Sequence, residues 1–319
     1  MKLEDIGFYT LSDYRVKQLS IDSPLWRCEL ILTHRCNFNC TYCRGLLNEQ
    51  KRDLTYYEAK HIIDLWVKDG LKNVRFSGGE PTLWKGLKDL VVHCKKNGVE
   101  RIAISTNGSA DLKLYGDLWR AGVNDFSISL DSCCAAFTEK ITGVKGIQNK
   151  LENNIKEISK FCYTTVGVVL IEENIEHLVD TIKYAHDLGV ADIRIITAAQ
   201  WNKGADNIDD ISPDILKKHP ILNYRINNIK KGKSMRGIKK SDYGKCPLVI
   251  DDVAIVRNKH YPCIIYLRER GEAIGEVGEN MRLERVKWFE KHDCYKDDIC
   301  RNNCLDVCVD YANRVRDIK

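Results

Sequence analysis

The sequence predicts an α/β protein in which a partial (βα)6 barrel of parallel strands is followed by a small cysteine-rich C-terminal domain. Two observations carry that reading. Between Cys28 and Ala199, short β-rich runs alternate with amphipathic stretches of helical period, the pattern of βα units around a parallel sheet. From Cys246 onward, the last 74 residues hold six of the chain's 14 cysteines and few residues with which to build a large core. The length, 319 residues, suits about two domains. The expected division is an N-terminal extension over 1–25, the barrel over 26–200, a basic linker over 201–245 and the cysteine-rich domain over 246–319.

Strands are expected at Cys28–Thr33, Asn73–Phe76, Arg101–Ser105, Asp125–Leu130, Thr164–Leu170 and Asp192–Ile196, each bounded by Gly, Asn or Asp. Helices are expected near Thr55–Lys68, Gly86–Asn97, Asp111–Ala121, Ile147–Phe161 and Ile175–Leu188. Thr55 with Glu58 three residues on forms a capping-box pattern at the first of them. Six such units fit an open barrel better than a closed eightfold one. The lysine-rich stretch from Lys217 to Lys245 reads as a solvated linker or helix, with an anion-binding patch as the alternative. Val249–Val256, followed by Tyr261-Pro262-Cys263, reads as a strand of a hairpin.

Composition excludes several classes. Hydrophobic residues at 44%, charged residues at 30% and only 6 prolines argue against disorder, collagen and coiled coil. A net charge of +5 permits an anionic substrate without arguing for a nucleic-acid groove. No run approaches the roughly 18 apolar residues of a membrane span, and no apolar signal core follows Lys2, so a cytoplasmic protein with no membrane partner is expected. In a reducing compartment, closely spaced thiols more often hold metal than form disulfides.

Directly after the first strand stands His34-Arg35-Cys36-Asn37-Phe38-Asn39-Cys40-Thr41-Tyr42-Cys43, three thiols in a C-x3-C-x2-C spacing. Thiolates suit iron–sulfur clusters and zinc, and a structural zinc usually takes four protein ligands, one more than this loop offers. Functional groups of parallel barrels gather on loops at the C-terminal strand ends, where these cysteines lie. After the second strand comes Phe76-Ser77-Gly78-Gly79-Glu80-Pro81, a glycine pair followed by an acid that can pair with an ammonium. Ile104-Ser105-Thr106-Asn107-Gly108 ends the third strand, and Ser127-Ile128-Ser129-Leu130-Asp131 ends the fourth.

In this order, at successive strand ends from Trp26 to about Ala199, these segments resemble the radical S-adenosylmethionine (SAM) enzymes. The resemblance implies a four-iron cluster held by Cys36, Cys40 and Cys43, whose open iron chelates SAM and whose electron cleaves it to a 5′-deoxyadenosyl radical, with a flavodoxin or ferredoxin as reductant. It implies that Gly78, Gly79 and Glu80 hold the methionyl amino group, that Thr106, Asn107 and Ser129 contact the carboxylate and ribose, and that Tyr42 contacts adenine. Asp131 is a candidate for substrate binding or base catalysis, and Cys133 a candidate hydrogen-atom donor, with packing at a turn as the alternative for the thiol.

The C-terminal cysteines, Cys246 and Cys263 and then Cys294, Cys300, Cys304 and Cys308 in a C-x5-C-x3-C-x3-C spacing, resemble the SPASM or twitch extension of that family. The resemblance implies an auxiliary four-iron cluster. Six thiols cannot supply two full clusters without His292, an open site or substrate, so one auxiliary cluster is expected, with two as the alternative and zinc after that. In the SPASM pattern a further cysteine would stand where this chain has Lys291.

The expected function is therefore hydrogen-atom abstraction followed by rearrangement, isomerisation or carbon–carbon bond formation. The opening segments Gly7–Asp13 and Ser23–Leu30 are similar to radical SAM proteins of phage pathways that hypermodify thymine in DNA, which would place the chain in a host cytoplasm acting on an amino-acid-bearing nucleobase. Alternative substrates are small molecules or peptides, the latter in a peptide maturase or dehydrogenase. A glycyl-radical activating enzyme and a non-catalytic iron–sulfur or zinc module are the readings from other classes.

Overall fold

The computed structural model describes residue 10, residues 13–201 and residues 208–318. Six strands, β1 (Arg27–Thr33), β2 (Asn73–Gly78), β3 (Arg101–Thr106), β4 (Asp125–Ser129), β5 (Tyr163–Leu170) and β6 (Asp192–Thr197), pair in parallel in consecutive order. β7 (Asp252–Val256) joins in parallel on the far side of β1, and β8 (Lys259–Tyr261) and β9 (Gly275–Glu276) continue antiparallel from it. The sheet order is thus β6-β5-β4-β3-β2-β1-β7-β8-β9. This is the parallel α/β sheet of a partial barrel, with a hairpin from the C-terminal region extending its β1 edge.

Helices α1 (Asp13–Gln18), α2 (Tyr56–Lys68), α3 (Leu87–Lys96), α4 (Leu112–Ala121), α5 (Ala135–Thr142), α6 (Gln148–Ser159) and α7 (Leu178–Asp187) precede or link the parallel strands. Then come α8 (Pro213–Lys218), α9 (Pro220–Lys230), α10 (Leu248–Asp251), α11 (Ile264–Arg268), α12 (Met281–Lys291), α13 (Asp298–Asn303) and α14 (Asp306–Ile318). α2 shows how the sequence specifies them. The Thr55 hydroxyl accepts from the Glu58 amide while the Glu58 carboxylate accepts from the Thr55 amide, and Ala59, Ile62, Ile63 and Trp66 form one buried stripe. That stripe meets Leu30, Phe76, Ile104 and Phe126 in the core between sheet and helices. The other face of the sheet presents polar side chains such as Arg75, Ser127 and Arg194 to an interior cavity, so several strands alternate apolar and polar residues.

Three features depart from the sequence expectation. α5, in the connection after β4, was not foreseen. Val249–Asp251 is helical within α10, so the strand begins only at Asp252, and it pairs with β1 as well as with its hairpin partner. The stretch 201–245 contains α8 and α9, and α9 is anchored to β6: Asp192, at the start of that strand, accepts from the amides of Ile221 at 3.0 Å and Leu222 at 3.3 Å, satisfying first-turn donors of the helix. Chain ends meet as well. Arg15 of α1 is fully buried, pairs with Asp251 and with Asp252 at 3.1 Å, and lies over the Tyr311 ring of α14 at 5.1 Å. Among the described residues no helix is long and apolar enough to cross a membrane.

Candidate cluster and cofactor site

The loop that follows β1 carries Cys36 and Cys43 exposed and Cys40 half-buried. Its path is fixed by neighbours on both sides. The amides of Asn39 and Thr41 donate to the carbonyls of Thr142 (2.8 Å) and Ile141 (3.0 Å), acceptors left over at the C-terminal end of α5. Asp53 accepts from the Thr33 hydroxyl at 2.6 Å and the Arg35 guanidinium at 2.9 Å, and so clamps the start of the loop. Within the loop, the Cys43 amide donates to the Cys40 carbonyl at 2.9 Å. Burial pushes the Cys40 thiol up to about 12, with Asp131, Cys43 and Cys36 adding to it, and burial also raises Cys36. The three sulfurs thus lie within electrostatic reach of one another. The Cys36 and Cys40 thiols stay protonated until a soft cation displaces the protons, as at a cluster site.

Gly78 and Gly79 are required by the backbone of that same loop. The Gly79 amide donates to the Thr33 carbonyl and the Glu80 amide to the Arg35 carbonyl, both at 2.8 Å. A Cβ on Gly79 would stand 2.1 Å from the Arg35 carbonyl oxygen, and one on Gly78, whose φ is +139°, would stand 2.3 Å from that of Thr33. Glu80 is buried, at 1% exposure, yet satisfied. Its Oε1 accepts from the Thr82 amide (3.0 Å), the Thr82 hydroxyl (2.7 Å) and the Thr106 hydroxyl (2.7 Å), and its Oε2 from the Asn107 amide (2.7 Å). Burial holds its carboxyl above the usual range against those four donors. Asn107 in turn reaches Asn37 at 2.8 Å, and its side-chain nitrogen lies 3.9 Å from Cys36 Sγ. Glu80, Thr106 and Asn107 therefore form one hydrogen-bonded unit beside the cysteine loop.

Tyr42 and Asp131 meet on the other flank. The Tyr42 hydroxyl donates to Asp131 Oδ2 at 2.7 Å, the Val169 amide donates to Oδ1 at 2.7 Å, and Asn174 donates to the Asp131 carbonyl at 2.9 Å. Burial raises the Asp131 carboxyl to about 6 against both donors. Each of its oxygens is thus engaged by the protein, which makes it a brace for Tyr42. Ser129 is exposed and lines the cavity described below. Cys133 does not line it: its amide donates to the Thr181 hydroxyl of α7 at 3.3 Å, on the helical side of the sheet.

The cavity, about 400 Å³, lies between the strands and the C-terminal region. β2, β4, β5 and β6 contribute Arg75, Ser127, Ser129, Gly167, Val169 and Arg194, and the opposite wall includes all six C-terminal cysteines. Arg75 donates to the Ser105 hydroxyl at 2.9 Å, and Arg194 donates to the hydroxyls of Ser127 and of Thr165, the latter at 2.9 Å. Burial lowers Arg194 to about 10, and Arg75 beside it adds to the effect, so two guanidinium groups crowd the floor. On the wall, Cys294 raises the Cys246 thiol well above its ordinary value and Cys308 does the same for Cys304, so these sulfurs are close neighbours. His292, Cys294 and Cys300 bring their ligand atoms within 4.8 Å of one another. Burial pushes Cys263 up to about 12, with Cys246 adding to it.

Sequence reasoning missed the groups that act through their backbone or across elements. Arg268, on α11, donates to the carbonyls of Gly78 at 2.7 Å and Gly45 at 3.0 Å, joining the glycine pair to the cysteine loop. Ile141, Thr142 and Asp53 position that loop as well. The αL glycine Gly143 that ends α5 was the local signal available for that helix.

A partial parallel barrel with a three-thiol loop at the end of its first strand, backed by a buried acid at the end of its second, defines a class of cluster-dependent α/β enzymes. Residues 30–185 match the sequence model of the Radical SAM superfamily. The chain is 34% identical over 196 residues to the GTP 3′,8-cyclase of Synechococcus elongatus, covering 59% of this chain and 58% of that one. It is 29% identical over 177 residues to a probable GTP 3′,8-cyclase of Metallosphaera sedula, covering 54% of this chain and 56% of that protein, so the match spans little more than half the length of these relatives. Among solved structures, SuiB of Streptococcus suis bound to S-adenosylmethionine superposes with a TM-score of 0.59 at 12% identity, over 88% of this chain and 72% of that one. Native anSMEcpe with bound AdoMet gives 0.57 at 15% identity, over 91% and 94%. These structural likenesses are of fold. Residues 30–185, just under half of the chain, form a radical SAM domain.

Such a domain implies a four-iron–four-sulfur cluster and SAM, and the site fits both. Three thiols on one loop, within electrostatic reach of one another, supply an incomplete cysteine set, and the buried carboxylate of Glu80 stands at the adjoining strand end.

Proposed function

We propose that this chain cleaves SAM reductively, abstracts a hydrogen atom from a substrate held in the cavity, and drives rearrangement, isomerisation or carbon–carbon bond formation on an anionic, amino-acid-bearing substrate such as a hypermodified thymine in DNA. The observation that carries the reading is that one cavity is lined on one side by barrel strands and on the other by six cysteines. When bound, the cluster and SAM supply one-electron chemistry and a 5′-deoxyadenosyl radical. The chain's own residues bind and orient. Cys36, Cys40 and Cys43 hold the cluster; Gly78 and Gly79 keep the second strand end against that loop; Glu80, with Thr106 and Asn107, receives the methionyl ammonium and carboxylate; Ser129 faces the ribose; Tyr42, braced by Asp131, contacts adenine. The C-terminal cysteines hold one auxiliary four-iron cluster, with flavodoxin or ferredoxin as the external reductant.

Arg75 and Arg194 on the cavity floor support an anionic substrate. The basic segment adds to this: Ile238, Tyr243 and Lys245 line the cavity, while Lys231, Lys239 and Lys240 are exposed on the same segment. The same arginines favour a second reading, a nucleoside triphosphate, since a relative 34% identical is named GTP 3′,8-cyclase. A peptide substrate has support from fold alone, through SuiB bound to precursor peptide SuiA. Anaerobic assays of SAM consumption with hypermodified-thymine DNA, GTP and a short peptide separate the three. Acceleration by the DNA alone supports the leading reading, and acceleration by GTP or peptide alone replaces it.

A further inference from the structure

Next to the sulfurs of the cavity wall stands a nitrogen donor, His292, which lines a separate pocket with Trp288, Lys287 and Glu284. His292 Nε2 lies 3.8 Å from Cys300 Sγ, and together with Cys294 Sγ these atoms all fall within 4.8 Å of one another. Cys246 is the next thiol, within electrostatic reach of both Cys294 and Cys300 but not within 4.8 Å of all three ligand atoms. In a tetrahedral site with metal–sulfur bonds of about 2.3 Å and metal–nitrogen bonds of about 2.0 Å, neighbouring ligand atoms are roughly 3.5–3.8 Å apart. The separation of Cys300 from His292 is already of that size.

The imidazole is held in this orientation by its surroundings. Its ring stacks on Trp288 with centroids 3.8 Å apart and an interplanar angle of 17°, and Tyr266 meets it edge-on at 6.3 Å. Its backbone is tied at both ends, the amide to the Trp288 carbonyl at 2.8 Å and the carbonyl to Lys245 Nζ at 2.9 Å. The Cys294 amide donates to the Gly244 carbonyl at 2.8 Å, which sews the segment carrying His292 and Cys294 to the segment carrying Cys246. Asp297 accepts from the Cys300 amide at 2.8 Å and fixes the fourth member.

We propose that His292 Nε2 is a metal ligand, joining Cys246, Cys294 and Cys300 in a mixed sulfur–nitrogen centre for a thiophilic metal. The inference rests on the reading that the C-terminal cysteines hold an auxiliary centre. It leaves Cys263, Cys304 and Cys308 on the cavity wall outside this set. Binding releases the three thiol protons, and the imidazole lone pair completes the four donors. The competing use of the same nitrogen is an ion pair with Asp297 Oδ2, 3.6 Å away, in which Nε2 carries a proton and cannot bind metal.

The test uses the full chain with Cys36, Cys40 and Cys43 all changed to Ala, so that only the C-terminal centre can load. It is reconstituted anaerobically with iron and sulfide, with zinc in a parallel sample, and reduced for pulsed electron paramagnetic resonance with and without ¹⁵N-labelled histidine. The expected result is metal bound through three sulfurs and a histidine nitrogen, seen for iron as a histidine coupling and for zinc by X-ray absorption. His292→Ala and His292→Cys both remove the coupling, while His292→Cys keeps the iron that His292→Ala loses at least in half. Zinc bound by three sulfurs and one nitrogen, seen by X-ray absorption in place of iron, upholds the ligand set and removes the iron–sulfur reading. Bound iron with no histidine coupling overturns the ligand assignment alone. No metal in either sample overturns both. His292→Cys guards against a variant that simply fails to fold.

Discussion

The Tyr42 hydroxyl donates to Asp131 Oδ2 across 2.7 Å, linking the cysteine loop at the end of β1 to the end of β4. That bond spans 89 residues of sequence and fixes the Tyr42 ring on the cysteine loop. Asp131→Ala removes the acceptor and leaves the Val169 amide without its partner. Loss of about 1–3 kcal/mol of stability is expected, from chemical denaturation, for buried groups left unsatisfied. SAM binding weakens as Tyr42 loses its brace, and equilibrium dialysis of the reconstituted protein measures this. Tyr42→Phe separates the two effects, because it keeps the ring and removes only the donor.

Gly79→Ala is expected to displace the cysteine loop. Its Cβ would lie 2.1 Å from the Arg35 carbonyl oxygen, a backbone atom that cannot move aside alone. Iron retained per chain after anaerobic gel filtration should fall at least severalfold. Gly116→Ala is the control, because its Cβ would meet only the flexible Arg120 side chain at 3.5 Å within α4. That change should leave iron content unchanged and stabilise the protein by roughly 0.5–1 kcal/mol.

Arg15 and Asp251, both fully buried, tie α1 to the C-terminal region. Arg15→Met leaves two acidic neighbours without this guanidinium, and removal of one partner of a buried pair costs about 3–5 kcal/mol. Urea denaturation should show the full loss, while Arg314→Met, which breaks a more exposed pair with Asp13, should cost less than about 1 kcal/mol.

His219 gives the fold a pH dependence. It is fully buried, its Nε2 is 3.0 Å from His186 Nδ1, and burial lowers its pKa to about 4 from the ordinary 6.5. With the folded value depressed, this contribution is fully present above about pH 6.5 and is lost as the pH falls towards about 4. In that window His219→Gln should flatten the rise of stability with pH, by up to about 1.4 kcal/mol per unit. Denaturation midpoints at several pH values in apo-protein measure it.

Local information made the first site legible. Cys36, Cys40 and Cys43 share one loop, and the six barrel strands follow from apolar runs bounded by turn residues, so their observed limits differ from expectation by one or two residues. What escaped is non-local or lies in the backbone. α5 opens at Cys134, which makes no side-chain cap, and it supports the cysteine loop through the carbonyls of Ile141 and Thr142, which any side chain could present. The pairing of β7 with β1 joins residues more than 200 apart, and nothing in the run Val249–Val256 distinguishes a hairpin strand from one that also extends a parallel sheet. Glu80 was legible as an acid in a glycine-rich motif, whereas its partners Thr106 and Asn107 became so only once β2 and β3 were neighbours.

The most direct test of the account is formation of 5′-deoxyadenosine from SAM by the anaerobically reconstituted, reduced protein, compared with Cys40→Ala reconstituted in the same way. The account requires product from the intact chain and none from the variant. Equal product from both, or none from an intact chain that carries its iron, would contradict it.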